Sequence, residues 1–173
     1  MRWEWVEPFI QRGQAIIPIN KEGVGDIARI VDLSGEEHDL AMQAQTFLKH
    51  VLAFFGADLT TLRRRYGQVV GKQKMVPLPL SRSFVLVPFN MRKPIGRQSR
   101  TGWVVSRRVK GVREVGDTLS ELMLSRYTLR VYHSRAFCLQ QLRNARLVQL
   151  EYAELHARLT ETMVSEAPLS YSK

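Results

Sequence analysis

The sequence predicts an α+β fold, a single domain of mostly antiparallel strands with two amphipathic helices. Hydrophobic residues make up 45% and charged residues 24% of the 173 residues, close to the averages of globular domains. Several short apolar runs bounded by glycine or proline indicate strands. Two longer segments, about 34–55 and 134–160, repeat apolar residues every three or four positions, which indicates helices. The resulting order, β-β-β-α-(β)-β-β-β-α, favours α+β.

Three strands are predicted before the first helix. Trp3 and Trp5 share one parity, which is typical of a half-buried strand, and this strand should end at Pro8. The run "AIIPI" (15–19) is apolar but contains a proline, so it predicts an edge strand. "KEGVGD" predicts a turn, and "IARIVDL" (27–33) a third strand.

The first helix is predicted over "SGEEHDLAMQAQTFLKHVLAFFG". Ser34 and Glu37 have the spacing of a capping box, although the helix could also begin nearer Asp39. Apolar residues recur at helical spacing through this segment, and Gly56 is well placed to end it.

The middle of the chain predicts turns and strands. "RRRYGQVVGKQK" is basic and turn-rich, and "MVPLPL" contains two prolines. "SFVLVPF" (83–89) is a continuous apolar run, consistent with a buried strand. "WVVSRRVKGV" (103–112) has strand composition, and "TLSELMLSRYTLRVYHS" predicts one or two strands with a turn near Ser125 and Arg126.

The second helix carries one apolar stripe with further leucines outside it. A helix that is apolar on more than one side is either deeply buried or shared with another subunit, and both alternatives stay open here. We expect a single domain over 1–163 and a polar tail over 164–173. The stripe consists of Cys138, Leu142, Ala145, Val148, Tyr152, Leu155 and Leu159, and the leucines outside it are Leu139, Leu147 and Leu150.

Positive charge is concentrated in one segment. The net charge is +10. Residues 1–58 carry five Lys/Arg and nine Asp/Glu, whereas residues 59–113 carry fourteen Lys/Arg and no acid. Residues 114–173 carry seven of each sign. An acid in the middle segment would repel phosphates, so the pattern favours a polyanion, and nucleic acid in particular, as the partner.

Other function classes find little support in the sequence. The four histidines are scattered, and one cysteine, Cys138, cannot complete a zinc finger, so we expect no metal and no cofactor. No catalytic triad, P-loop or dinucleotide motif is visible, so we expect no enzyme. No apolar run reaches about 18 residues, and the N-terminus carries charges where a signal peptide would be apolar. We therefore expect a cytoplasmic, nucleoid-associated protein without a membrane partner.

The cations lie on predicted loops and strand edges rather than on either predicted helix. That placement suits contact with phosphates and insertion of arginine into a narrow minor groove better than a helix in the major groove. Arginine predominates over lysine, and it enters such a groove at a lower desolvation cost. The alternative is an RNA-binding or ribosome-associated module. Trp103 is expected to anchor the basic loop, and the expected DNA contacts are Arg63, Arg64, Arg65, Arg92, Lys93, Arg97, Arg100, Arg107 and Arg108.

The order of these segments resembles the bacterial competence transcription factor ComK family. "LAFFG" is followed by "RRR", "KMVPLPL" leads to "FVLVPF", and a basic loop leads to "GWVVSRRV". A closing helix contains "RNARLVQLEY". The resemblance covers roughly residues 15–152. It implies a sequence-specific activator that reads AT-rich boxes through the minor groove as a homodimer or dimer of dimers, with RNA polymerase as a further partner.

Two features depart from that family. The loop between Pro88 and Trp103 is longer and richer in arginine, and Phe89 and Asn90 stand where Ser or Thr is expected. ComK-like proteins can also carry a C-terminal extension that a protease adaptor recognises. The end of this sequence, "SEAPLSYSK", has no evident counterpart, so whether adaptor-mediated degradation applies stays open.

Overall fold

The α+β prediction is confirmed. The computed structural model describes the backbone of residues 4–171 and the side chains of residues 4–161. Within these residues a single domain contains four α-helices and nine mostly antiparallel strands in two sheets. The helices are α1 (Val6–Arg12), α2 (Ala44–Phe54), α3 (Leu59–Val70) and α4 (Arg135–Tyr171). The strands are β1 (Gly13–Lys21), β2 (Gly25–Asp32), β3 (Glu37–Leu40), β4 (Leu78–Ser81), β5 (Phe84–Asn90), β6 (Thr101–Val105), β7 (Gly111–Gly116), β8 (Leu119–Leu124) and β9 (Tyr127–Val131).

The larger sheet has six strands in the order β3-β2-β1-β6-β5-β4, and the smaller one has the order β7-β8-β9. Side chains that alternate along a strand point to opposite faces, so each face of the larger sheet has its own core. One face, with Ile16 and Trp103, packs with residues of α1 and α2. The other face, with Ala15 and Val104, packs with residues of the smaller sheet and α4. The larger sheet therefore lies between two layers.

The N-terminal strand prediction is wrong. Trp5 lies in a turn and α1 begins at Val6, while Trp3 lies outside the described residues. Val6 and Phe9 are both buried, and their separation of three places them on one helix face. Pro8 is tolerated because a backbone N–H in the first helical turn has no helical acceptor.

The prediction of one helix over 34–55 is also wrong in its first part. Residues Glu37–Leu40 form β3 against β2, and α2 begins only at Ala44. The expected capping box is absent because Ser34 instead bonds the Asp32 carboxylate, through its backbone N at 2.9 Å and its Oγ at 2.5 Å. Gly35, with φ at 84°, completes the tight turn that returns the chain along β2.

The strand at 15–19 forms, but it is not an edge strand. β1 lies between β2 and β6 in the larger sheet. Pro18 is accommodated because β1 pairs with β6 only at Ala15 and Ile16. Around Pro18, β1 pairs with β2 alone. The N–H that proline lacks would be needed only for a hydrogen bond to a strand on the side of β6, and no strand pairs with β1 there. The turn at 21–26 and the strand at 27–33 are confirmed as the β1–β2 hairpin and β2.

The basic piece predicted as turn-rich is the helix α3. Asp58 caps its N-terminus by accepting a hydrogen bond from the backbone N of Thr61 at 3.0 Å. Gly71, in the left-handed region with φ at 69°, ends it. Tyr66 and Gly67 are its buried residues. The helix carries no continuous apolar stripe, which is why periodicity alone did not reveal it.

The remaining strand predictions are confirmed with one change. β5 is fully buried except at its end, and two strands, β8 and β9, turn at residues 125–126, where Arg126 has φ at 55°. The segment 103–112 is divided, because a short 3₁₀ helix at Ser106–Arg108 separates β6 from β7 and carries the chain into the smaller sheet.

The second helix is confirmed as α4. Cys138, Ala145 and Val148 are buried, and Gln141 donates to the carbonyl oxygens of Met75 at 3.1 Å and Pro88 at 2.9 Å. The backbone is helical to Tyr171, while the side chains of the expected polar tail, 164–173, lie outside the described residues. Within the described chain, no helix is both long and apolar enough to cross a membrane.

Candidate nucleic-acid interface

The loop between β5 and β6, residues 91–100, is a short hairpin, which we call the basic arm. At its base the backbone N of Met91 donates to the carbonyl oxygen of Arg100 at 2.7 Å. At its tip the backbone N of Gln98 donates to the carbonyl oxygen of Ile95 at 2.9 Å. Gly96 has φ at 52°, as the first central position of a tight hairpin turn requires. The turn therefore presents Arg97 at the tip of the arm, where it is exposed.

Arg92 braces the arm instead of facing solvent. Its Nη1 lies 2.6 Å from the Asp26 carboxylate, and only 11% of each side chain is exposed. Its Nε donates to the carbonyl oxygen of Ser99 at 3.0 Å, and its Nη2 donates to the same oxygen. The guanidinium therefore joins the two sides of the arm to β2, and the predicted DNA contact at Arg92 is not supported by this geometry.

The base of the arm is rigid. Trp103 is 2% exposed, and its backbone is registered opposite Ile16 and Pro88. A Cβ added at Gly102 would lie 2.1 Å from the Met91 sulfur and 2.5 Å from the Ile16 carbonyl oxygen. Gly102 therefore allows the close packing of the arm's base against Met91 and β1.

The structure places part of the predicted site on both sides of one groove. Arg63 of α3 and Arg100 of the basic arm line a groove of about 570 Å³. Lys74 lines it as well, and it is exposed. Sequence reasoning did not select Lys74, although it lies in the segment without acids. We call this feature the basic groove.

The rest of the arginine triplet and Lys93 remain accessible around the groove. Arg64 and Arg65 are exposed on α3, and Lys93 is exposed on the arm. Arg64 also lines a neighbouring surface depression with Arg63. The accessible cations next to the basic groove are therefore Arg63, Arg64, Arg65, Lys74, Lys93, Arg97 and Arg100.

Arg107 and Arg108 do not join this surface. They follow the end of β6, whereas the basic arm precedes its beginning, so they lie at the opposite end of the sheet. Arg107 Nη1 donates to the Ser83 carbonyl oxygen at 2.7 Å, and its guanidinium lies over the Phe84 ring at 5.5 Å. Burial, together with the neighbouring Arg108, lowers the pKa of Arg107.

Two cations, Arg100 and Lys72, also act on His133, which contacts the end of β5. Burial, together with Arg100 and Lys72, lowers the pKa of His133 to about 4. A neutral imidazole can accept a hydrogen bond, and the His133 Nε2 receives one from the backbone N of Asn90 at 2.8 Å. The histidine thus ties the end of β5 without adding charge at neutral pH.

One cluster of metal-ligand type occurs among the described residues. Asp32, Glu36 and His38 bring ligand atoms within 4.8 Å of one another, a proximity that sequence spacing did not indicate. The hydrogen bonds from His38 and the Ser34–Glu36 turn outweigh the effect of burial and lower the Asp32 pKa to about 2. Because both Asp32 oxygens already accept hydrogen bonds, the cluster is explained as a brace of the β2–β3 turn.

Comparisons with protein-family models, curated proteins and solved structures find no match for this chain.

Proposed function

We propose that this protein is a sequence-specific DNA-binding transcriptional regulator of the ComK type that contacts AT-rich DNA through the minor groove. The observation that carries the proposal is the basic groove, which Arg63, Lys74 and Arg100 line together. These cations come from the segment 59–113, which holds fourteen Lys/Arg and no acid. Such a surface attracts phosphates without local repulsion.

The arm supplies the groove-reading element of the proposal. A narrow minor groove is about 6 Å wide and has an enhanced negative potential that attracts arginine. Arg97 stands on the tight turn at the arm's tip, and Arg92 and Trp103 hold the arm at its base. Insertion of Arg97 would then cost little conformational entropy, because the arm is already ordered.

The α3 arginines take a second role. Arg64 and Arg65 are exposed beside the groove, so they would contact the phosphates that flank the inserted arm. The proposal has no catalytic step. It includes a homodimer or dimer of dimers on DNA, contact with RNA polymerase, and location in the cytoplasm at the nucleoid.

A competition gel shift tests the proposal, using AT-rich duplex, GC-rich duplex and RNA of equal length. The protein should prefer the AT-rich duplex, and a minor-groove ligand should displace it. Equal binding to all three, with no effect of the ligand, would overturn the proposal. Stronger binding to RNA would support the alternative of an RNA-binding or ribosome-associated module.

Matched variants locate the contact. Arg97→Ala and Arg100→Ala should each weaken AT-rich binding by about 1–3 kcal/mol, which is about five- to 150-fold. Arg82→Ala is the control, because Arg82 is exposed in the same acid-free segment but lies in the β4–β5 turn, at the other end of the sheet. If all three substitutions weaken binding equally, net charge and not the arm explains the affinity.

A further inference from the structure

The segment 72–75, which follows α3, borders the basic groove and is neither helix nor strand. We call it the groove segment. Its last three residues, Gln73, Lys74 and Met75, line the groove, and within the described chain their backbones make no hydrogen bond to another backbone group. Met75 also has φ at 57°, in the left-handed region that residues other than glycine seldom adopt. Contacts from outside the groove segment must therefore hold it in this conformation.

Gln141 of α4 supplies such contacts at both ends of the groove segment. Its Oε1 accepts a hydrogen bond from Lys72 Nζ at 2.7 Å, and its Nε2 donates to the Met75 carbonyl oxygen at 3.1 Å. The same Nε2 donates to the carbonyl oxygen of Pro88 at 2.9 Å, and Pro88 also lines the groove. The Gln141 side chain is fully buried, so bulk water does not compete for these bonds. One amide thus joins the groove segment to β5 and α4.

Lys72 has a second contact with α4. Its Nζ lies 4.8 Å from the centre of the Phe137 ring, within the range of a cation–π interaction. Burial of the ammonium group lowers the pKa of Lys72. An ammonium group that has lost part of its hydration depends more strongly on the acceptor that remains, which here is the Gln141 oxygen. Lys74, by contrast, is exposed and stands between two residues that Gln141 holds.

We propose that Gln141 is a positioning residue of the basic groove, which holds the groove segment so that Lys74 can contact a phosphate. The phosphate contact rests on the proposed function, whereas the ordering of the groove segment by Gln141 can be measured without DNA. A cation that is already held in position loses less conformational entropy on binding than one on a mobile segment. Release of the groove segment should therefore remove the contribution of Lys74 and leave that of Arg97 on the arm.

Gln14 is a matched control, because it is a buried glutamine away from the groove. Its side chain is also fully buried. It also makes three hydrogen bonds, each at 2.8 Å, with the Asp32 carbonyl oxygen and with the backbone oxygen and nitrogen of Ser125. Gln14 lies near the start of β1, which is where the antiparallel β6 ends, away from the arm. Gln14→Leu and Gln141→Leu should lower stability alike, since each leaves three polar groups without a partner.

Limited trypsin digestion without DNA tests whether Gln141 holds the groove segment. Trypsin cleaves after lysine, and mass spectrometry identifies the fragments that end at Lys72 or Lys74. Cleavage within a folded protein follows the population of the locally open form. Gln141→Leu should raise the cleavage rate at these two sites at least about tenfold, because three hydrogen bonds are lost. Gln14→Leu should leave that rate within about twofold of the wild type.

Two substitutions at Lys72 keep the test independent of how well Gln141→Leu folds. Lys72 is only half-buried, so its replacement should leave the protein folded. Lys72→Met removes the donor to the Gln141 oxygen, and cleavage after Lys74 should increase. Lys72→Arg keeps a donor, and cleavage after Lys74 should stay near the wild-type rate. An equal rate in these two variants would show that the bond to Gln141 does not hold the segment.

The salt dependence of DNA binding tests whether the groove segment supplies a phosphate contact. Lys74→Ala should reduce the magnitude of the slope of log K against log salt by about 0.9. In the Gln141→Leu background the same substitution should have almost no further effect, whereas in the Gln14→Leu background it should have its full effect. Arg97→Ala should keep its full effect in both backgrounds, because other contacts hold the arm. Residues that act together are non-additive in this way.

The outcomes separate the role of Gln141 from the DNA proposal. Equal cleavage of Gln141→Leu and Gln14→Leu after Lys74, or a full effect of Lys74→Ala in the Gln141→Leu background, would overturn this role and leave the DNA proposal standing. The salt slope counts phosphate contacts on any nucleic acid, so binding without preference for AT-rich duplex would overturn only the DNA proposal. A protein that binds no nucleic acid would overturn the DNA proposal and the phosphate contact of Lys74 together.

Discussion

The ion pair between Asp26 and Arg92 decides the role of Arg92 in this site. Sequence reasoning grouped Arg92 with the other cations of the arm, since nothing local marks it as different. The structure separates it through an acid 66 residues away. A long-range ion pair of this kind leaves no periodic or local signal, so the distinction between a brace and a DNA contact could not be made from sequence.

The ion pair between Asp26 and Arg92 leads to an unusual prediction for Asp26→Asn. Removing an acid beside a polyanion site would ordinarily raise affinity for DNA. Here we expect affinity to fall, because the side chain that fixes Arg92 is lost and the arm must be ordered on binding. The dissociation constant for AT-rich duplex and the thermal midpoint are measured together. Breaking a largely buried ion pair should also lower the midpoint.

Asp39→Asn is the matched control for this variant. Asp39 also forms ion pairs, with Arg29 at 2.8 Å and Lys21 at 3.1 Å, but they brace the β1–β2–β3 edge and not the arm. It should lower stability without lowering affinity below that of the wild type. An Asp26→Asn protein that binds DNA more tightly than wild type would show that Arg92 is a DNA contact after all.

At the scale of elements, sequence patterns succeeded where burial is one-sided or complete. β5 is a continuous apolar run because both its faces are covered, and α4 shows a long stripe because one face packs on the sheet. The patterns failed at β3, where Leu40 fits both a helical and a strand register and only pairing with β2 decides between them. They also failed at α3. Its cap residues, Asp58 and Gly71, are visible in the sequence, but the residues between them form no apolar stripe that would indicate a helix.

Packing inside α3 predicts a reversal of the usual effect of glycine replacement. Gly→Ala within a helix is ordinarily stabilising by roughly 0.5–1 kcal/mol. At Gly67 an added Cβ would lie 2.4 Å from the Lys72 carbonyl oxygen, so the chain after α3 would have to move. We expect Gly67→Ala to lower the free energy of unfolding by about 1–3 kcal/mol, as overpacking does.

Denaturant unfolding measures this change, with Gln68→Ala as the control. Gln68 is exposed on the same helix, so its replacement should leave stability nearly unchanged or slightly raised. Because the displaced segment leads to Lys74, the Gly67→Ala protein should also bind AT-rich duplex less tightly. A stabilised Gly67→Ala protein would contradict the close packing of α3 against the chain that follows it.

At the scale of the whole molecule, the uneven distribution of charge along the sequence corresponds to different regions of the fold. The first 58 residues carry nine acids, and several of them form ion pairs around β2 and β3, as Glu37 and Asp39 do with Arg29. Seven of the accessible cations from the acid-free segment surround the basic groove at one end of the sheet, whereas Arg82 lies at the other end. The sequence predicted that a cationic surface exists, but only the strand register shows that Arg107 and Arg108 lie at the other end.

The number of cations at the basic groove sets the expected salt dependence of DNA binding. Seven accessible cations surround the basic groove, after Arg92, Arg107 and Arg108 are removed from the predicted set and Lys74 is added. If each neutralises one phosphate, the slope of log K against log salt is about −6, and affinity falls about 10³–10⁴-fold between 50 and 200 mM salt. Fluorescence anisotropy with AT-rich duplex over this range measures the slope.

Two variants test which end of the sheet contributes to this slope. Arg97→Ala should reduce the magnitude of the slope by about 0.9. Arg107→Ala should leave the slope unchanged, because the Arg107 side chain is held against Ser83 and Phe84. An equal reduction by both variants would show that the two ends of the sheet contact DNA together.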